Sequence, residues 1–464
     1  MTTINHSLWI GRDALVAHQG AIAVTGQNIS NVNTPGYSRQ RIVLETKAPM
    51  TAYPEGMIGN GVYLKTVQRV YDRFLNNRLN TALQDQHRWE ARQSVVQQVE
   101  AVFQETEETG LSSRIGGFFN AWQDIASNPT GYAERLTVIG KAKDLALGLK
   151  QAHDSLTSLQ RETDAQIRDG VNAVNSLATN LNALNDQIVR MKQRGQNPND
   201  LEDKRDAMLA DLAEYVDFTT NESSEGLVTV TLADGKVLVG RPPEGKLVAV
   251  DDADGLAKIA WSSDPGTPIT GQIGSGKMKG WIESRDGTIQ NGLDRMDALA
   301  KAIRDAVNPL HQAGKGLDGV GGRDFFIGTG ASDLAVHPDI EANPTWIAAA
   351  SADAIDGTLA ADNRNALAMA ALVNQAVSDL GSATFSQYAA WSAAQVGQDV
   401  RNASQNLSYQ KAVVSQLQNV RDSISGVSLD EEMANLIQYQ HAYAASARMI
   451  TTVNQMMQDL VTMV

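Results

Sequence analysis

Several residue groups in this 464-residue chain are of types that could do chemistry, so their spacing decides what they are. Gly271, Gly276 and Lys277 reproduce most of a phosphate-cradling loop, but Met278 stands where a Ser or Thr hydroxyl would hold magnesium. The segment reads as a turn entering a strand. Gly314, Gly316, Gly319, Gly321 and Gly322 read as a flexible loop. The histidines at 6, 18, 87, 153, 311, 337 and 441 are scattered, with no pair at metal-ligand spacing. Asp251, Asp252 and Asp254 before Gly255 suggest a calcium loop, yet its twelfth position is Trp261 instead of a bidentate Glu, and a solvated turn is the simpler reading. Glu105, Glu107 and Glu108 are the carboxylates closest to an acid/base set, and they fall near an expected helix end where charge is ordinarily solvated. With no cysteine and no elbow serine, the sequence predicts no catalytic residue, no cofactor site and no metal site.

The formal net charge of −14 argues against a nucleic-acid binder, which needs clustered Lys and Arg to neutralise phosphates. No run approaches the roughly 18 apolar residues that span a bilayer, so no membrane partner is expected. The first thirty residues carry two formal charges, Arg12 and Asp13, and lack the basic start, apolar core and cleavage site of a Sec signal. If the chain leaves the cell, another export route carries it. Its length and 42% hydrophobic content predict two to four domains.

The elements that the sequence does specify lie at its ends. Leu8, Leu15, Ile22 and Ile29 stand seven residues apart, with Ile4 beside them, and make one apolar seam on a helix of about 28 residues, roughly 42 Å long. The helix should stop before Thr34, because Pro35 excludes helical geometry at the residue before it and Pro35–Gly36 fits the centre of a type II turn. At the other terminus Leu429, Leu436, Tyr443, Ile450, Met457 and Val464 repeat the interval, interleaved with Met433, Gln440, Ala447, Asn454 and Val461. Ser428 followed by Glu431 predicts a capping box, with Asp430, Glu431 and Glu432 on the positive end of the helix dipole. Beyond that turn the helix carries only Arg448 and Asp459 as formal charges, and a surface so poor in charge expects neighbouring helices.

Between the ends, long helical patterns cover about 70–105, 153–194 and 384–425, with shorter ones at 201–214 and 290–312. Val174, Leu177, Leu181, Leu184, Ile188 and Met191 carry the second; Val396, Val400, Ala403, Leu407, Val414, Leu417 and Ile424 carry the third. Residues 216–261 read as strands, with Asp234–Gly235 as a hairpin turn. The predicted fold is mainly α. Terminal coiled-coil helices (1–35 and 427–464) join a helical rod (36–215 and 281–426), with a β-rich outer domain at 216–280 and the irregular stretch 312–380 open to either the rod or the outer domain.

The run Asn28–Arg41, NISNVNTPGYSRQR, resembles the signature of flagellar axial proteins, and its SRQ ending resembles the hook-associated protein 1 family in particular. The residues that carry the turn are Asn31, Asn33, Thr34, Pro35, Gly36, Tyr37, Ser38, Arg39 and Gln40. The resemblance extends to PNDLEDKRDAMLADLAEYVDF at 198–218, to LDRMDALAKAIRDAVNPLH at 293–311 and to GVSLDEEMANLIQYQHAYAASARMITTVNQMMQDL at 426–460. It implies a structural subunit, not an enzyme, at the junction of hook and filament outside the cell. Export would be through the flagellar type III apparatus, without a cleaved signal, and a chaperone would bind the C-terminal region.

Its implied partners are further copies of itself, the hook protein and the second hook-associated junction protein. The helix through Leu8, Leu15, Ile22 and Ile29 would pair with the helix 429–464 to line the central channel; Thr34–Tyr37 would lead outward, and the β region would lie outermost. The span 216–380 leaves room for one modest outer domain, which makes the chain short for the family. Another axial protein, such as the second junction protein or a hook or distal rod subunit, is the alternative within the class. A secreted cell-wall hydrolase is the alternative outside it, and would need a pocket with paired carboxylates.

Overall fold

Apolar and small residues with almost no charge build α1, Thr2–Ser30, in the computed structural model, which describes residues 2–53, 56–104, 110–243, 245–355 and 358–463. Glu105, Glu107, Glu108 and Val464, together with the side chain of Ile4, lie outside the described residues. The helix ends at the predicted turn. The Tyr37 N–H donates to the Thr34 carbonyl at 3.2 Å, and Gly36 sits at φ +80°, where any side chain would strain the backbone.

Beyond the turn the structure departs from the sequence reading, which assigned 36–215 to helix alone. Strands β1 (Gln40–Thr46) and β4 (Val62–Arg69) form an antiparallel hairpin, with β2 (Met50–Tyr53) and β3 (Gly56–Ile58) paired between them. Leu64 and Ile42 of this hairpin lie against Gly20 of α1. Helix α2 (Arg73–Val102) then begins at Asp72, whose side chain accepts the Leu75 N–H. Helix α3 (Leu111–Ser127) was not expected at all, and α4 (Tyr132–Gln193) starts about twenty residues before its predicted start. At 62 residues α4 is about 93 Å long and is the spine of the rod. Helix α5 (Asn199–Tyr215) returns beside it.

Strands β5 (Phe218–Glu222), β6 (Val228–Leu232) and β7 (Val237–Val239) make a three-stranded antiparallel sheet, and β8 (Leu247–Asp251) pairs with β9 (Ala257–Trp261). Asp234–Gly235 is the predicted hairpin turn, with Gly235 at φ +82°. Helix α6 (Gly276–Glu283) continues through one wider turn at Ser284–Ile289 into α7 (Gln290–Ala313). The phosphate-loop look-alike therefore enters a helix, not the predicted strand. Its groups are already engaged: Ser275 donates to Asp85 at 2.7 Å and Lys277 pairs with Glu214. The Asp252 carboxylate accepts the Asp254 and Leu256 N–H groups, as a turn residue does. Short elements β10 (Phe326–Ile327), β11 (Ala335–Val336) and α8 (Pro338–Ala342) precede α9 (Arg364–Ala371), α10 (Phe385–Ser425) and α11 (Leu429–Thr462).

Two large cores lie along α4. Val138 to Leu159 of α4 share one with α3, α7, Phe325 to Ala349, α9 and the start of α10; Phe118, Phe119, Trp122, Phe325 and Phe326 interlock there. Ile167 to Val189 share the other with α5, α6 and β5–β9. A smaller cluster joins Leu75, Leu79 and Ala82 of α2 to Val414 and Leu417 of α10. The irregular stretch 312–380, left open between rod and outer domain, packs into the core at the helical end of the rod. The β strands pack on the half of α4 that leads back to α5 and the hairpin, so the end farthest from the turn is helical.

His311 is buried in the first core, against Trp122 and Phe325. Its Nδ1–H donates to the Arg323 carbonyl at 2.7 Å, and Nε2 accepts the Ala348 N–H at 3.1 Å, an arrangement only the neutral ring can make. Burial holds its pKa down at about 4. Above the ordinary histidine value near 6.5 the ring is neutral folded and unfolded alike; below it only the unfolded chain takes the proton, so stability falls with pH. Between pH 6.5 and 4 this group alone removes on the order of 3 kcal/mol. In urea titrations at pH 7 and pH 4, H311Q should lose less stability across that interval than the native chain; an identical loss would contradict this assignment.

Candidate assembly surface

Helices α1 and α11 pack antiparallel along their length, with Gly11 against Ile450 at one end and Asn28 against Glu432 at the other. A Cβ at position 11 would lie 2.8 Å from Ile450 Cγ1, so the close approach there depends on glycine. Ala17, Ala21, Thr25 and Asn28 are the buried line of α1, which α11 and the β1–β4 hairpin both flank. Leu8, Leu15, Ile22 and Ile29 are half-buried on the flank that carries Gly11. On α11 the fully buried side chains are Glu432 and Val453; Leu436, Ala447, Ile450 and Met457 are half-buried. Leu429, Met433, Tyr443 and Val461 are exposed. The covered line of α11 thus takes Leu436, Ile450 and Met457 from the first predicted heptad and Ala447 from the interleaved one, together with Glu432 and Val453, which belong to neither.

The turn locks this pair to the rod. Asn28 donates to the Gln40 carbonyl (2.8 Å) and to Glu432 (2.9 Å), and its Oδ1 accepts from the Gln40 N–H (2.9 Å) and the Tyr37 hydroxyl (2.8 Å). Arg39 spans Glu432 at 2.8 Å and Glu431 at 2.7 Å, while its N–H donates to the Ser425 carbonyl where α10 ends. Ser428 Oγ accepts the Glu431 N–H as predicted, but the Glu431 carboxylate turns to Arg39, so only half of the expected capping box forms.

On the rod side, the Ser38 N–H donates to Asp203, and Gln40 bonds both Asp200 and Asn199. Arg69, at the end of β4, meets Glu202 and Asp203 at 2.9 Å and Asp206 at 2.5 Å, under the ring of Tyr71. Burial pushes the Tyr37 phenol above its usual range, with Asp200, Asp203 and Glu432 adding to the shift. Burial likewise holds the Asp206 carboxyl up, although Arg69 opposes it. Within the turn, Asn31 accepts from the Thr34 hydroxyl, whereas Asn33, Pro35 and Gly36 are exposed.

Three stretches far apart in sequence therefore meet: 28–41, 198–206 and 426–432. Sequence reasoning quoted all three and did not foresee that they meet at one point; Asn28 and Asp203 had no assigned role, and Glu432 was assigned only to the helix dipole. Among the described residues no cluster of His, Asp or Glu could hold a metal ion, and no helix is long and apolar enough to cross a membrane.

The same three regions are where comparison with known proteins is informative. A model of the flagellar hook-associated protein FlgK helical domain matches residues 96–326; models of the flagella basal body rod protein and of the flagellar basal body rod FlgEFG protein C-terminal region match 8–37 and 421–463. Flagellar hook-associated protein 1 of Bacillus subtilis is 29% identical, over 99% of this chain and 98% of its own. The chain belongs to the hook-associated protein 1 family. It is a structural component of the bacterial flagellum. The family member of Salmonella typhimurium is 27% identical over 98% of this chain and 99% of its own; that alignment runs to 552 positions, so the relative carries sequence this chain lacks, as its short middle region suggested. The structure of the flagellar hook junction protein FlgK from Burkholderia pseudomallei superposes with a TM-score of 0.67 at 17% identity, over 75% of this chain and all of that one, and shares the fold.

Replacing Arg69 by Met should lower the unfolding free energy by about 3–5 kcal/mol, because Asp203 and Asp206 would lose their paired cation and Glu202 would keep Lys192 alone. The loss should shrink on going from pH 8 to pH 4 as the Asp206 carboxyl, which burial already holds up, takes a proton. Equal thermal midpoints for R69M and the native chain at pH 8 would contradict the network's role.

Proposed function

We propose that this chain forms the layer joining hook to filament, assembling with copies of itself through the paired helices α1 and α11. The observation that carries this reading is the outer face of that pair. Apart from Asp430, Glu431 and Glu432 in its first turn, α11 has only Arg448 and Asp459 as charges, and it exposes Leu429, Met433, Ile437, Met449, Met456, Leu460 and Val461. Exposed apolar side chains in that number on one helix, on both flanks of its contact with α1, mark a surface that neighbours cover. The clasp at Asn28 and Arg39 fixes its direction relative to the rod, as a repeating assembly requires.

On this reading the terminal pair lines the central channel and the turn at Thr34–Tyr37 leads outward to the rod. The neighbours above and below are the hook protein and the second hook-associated junction protein. The subunit reaches its place through the flagellar export apparatus, with a chaperone covering the C-terminal helix beforehand. That cover suits a helix whose exposed apolar groups would otherwise associate early.

The test is to mix the purified chain with isolated hooks that lack their junction, pellet them and image the tips by electron microscopy. The native chain should add a short distal layer. L436D/I450D should keep its rod folded by circular dichroism and add none, because both substitutions place a carboxylate without a partner in the α1–α11 contact. Absence of a layer with the folded native chain, or a normal layer with the double variant, would overturn the reading.

A further inference from the structure

Trp9 and Val16 on α1 are 54% and 59% exposed and stand seven residues apart, and exposed Ala23 continues the line. Met449 and Met456 repeat that interval on α11, and Met463 follows at its C-cap, at 38%, 46% and 85% exposed, with exposed Leu460 beside them. Met449 and Met456 each directly precede a residue of the α1-facing seam, Ile450 and Met457. The methionine stripe therefore lies roughly 100° around α11 from the face that packs on α1. One two-helix unit thus carries two exposed apolar stripes of equal period, about 10.5 Å per step, with the Arg12 guanidinium covering one face of the Trp9 ring at 4.1 Å and the rest of both stripes open. Two different stripes of matching period on one molecule suit a head-to-tail contact, in which one stripe of a copy meets the other stripe of the next.

We propose that the Met449–Met456–Met463 stripe docks the Trp9–Val16 stripe of a second copy, and that sulfoxidation of these thioethers in the free subunit closes the site. The inference rests on the assembly reading above and adds its partner face and its chemical control. A thioether packs well on an indole ring and adapts to an imperfectly matched neighbour, which suits a contact repeated along a curved layer. It is also open to hydroperoxides before assembly. The sulfur lone pair attacks the terminal peroxide oxygen, the O–O bond breaks, oxygen passes to sulfur, and water leaves from hydrogen peroxide or an alcohol from an organic peroxide. Sulfur is oxidised by two electrons and the peroxide is reduced. The resulting sulfoxide is polar, and an apolar stripe offers it little in exchange for water. Once docked, the same sulfurs are covered.

The full-length chain is treated with hydrogen peroxide, its sulfoxides are mapped by mass spectrometry, and it is then offered to junction-free hooks. Met449, Met456 and Met463 should oxidise well before the buried Met278, Met296 and Met369, and the oxidised chain should add about tenfold less to hook tips. M449L/M456L/M463L, which retains exposed Met57 and Met433, should lose far less of its own untreated addition on exposure to peroxide than the native chain loses of its own. Normal addition by the trebly oxidised native chain, or equal peroxide sensitivity of the leucine variant, overturns the proposal. Failure of the untreated native chain to add would instead remove the assembly reading on which it rests. The partner face is checked separately in this cysteine-free chain. V16C chains mixed with M456C chains in the assembled layer should give the mixed disulfide; only like-with-like pairs would overturn the stripe assignment.

Discussion

An asparagine side chain offers two donors and two acceptor positions, and at Asn28 all four are taken at once. Its partners come from the turn, from β1 and from α11, so one buried amide ties the turn and β1, which follow it directly, to a helix 404 residues further on. Glu432 can be buried beside it because Arg39 brings the opposing charge, and Arg39 is held by the same turn. A buried carboxylate without that cation would cost several kcal/mol, and an unpaired buried amide about 1–3. The placement of α11 on α1, and of both on the rod, follows from meeting those two requirements together.

Charge is divided along the molecule to the same end. The rod carries ion networks around Arg69, Arg205 and Arg285, where buried guanidinium groups meet carboxylates from α4, α5 and the strands. These fix its internal geometry without inviting neighbours. The terminal pair has almost no such groups beyond the turn, and its outer faces stay apolar or amide-bearing. A subunit built this way has a self-sufficient body and ends that gain most from company.

What could be read from the sequence follows the same physics. The terminal helices, α5, α7, α10 and the Asp234–Gly235 hairpin were legible because regular apolar spacing and turn chemistry announce them locally. The buried line of α1 was not, since Ala17, Ala21, Thr25 and Asn28 are small or polar and carry no hydrophobic signal. Helix α3 is interrupted by Gly116–Gly117, a pair that disfavours helix until the packing of Phe118, Phe119 and Trp122 outweighs it. The β1–β4 hairpin is short and half-exposed, and α1 supplies one of its faces, so its existence depends on a contact with another element. The clasp was beyond reach for that reason too. Its residues were visible as quoted runs, but their meeting is a tertiary fact.

The most direct test of the central claim is a cryo-electron microscopy map of hook ends carrying an added layer of this chain, at a resolution that shows side chains. The account predicts α1 and α11 antiparallel at the innermost radius, with Arg39 on Glu432, Asn28 between Gln40 and Glu432, and the outer faces of both helices covered by neighbouring subunits. Terminal helices separated from one another, or lying on the outer surface with the rod toward the channel, would contradict it.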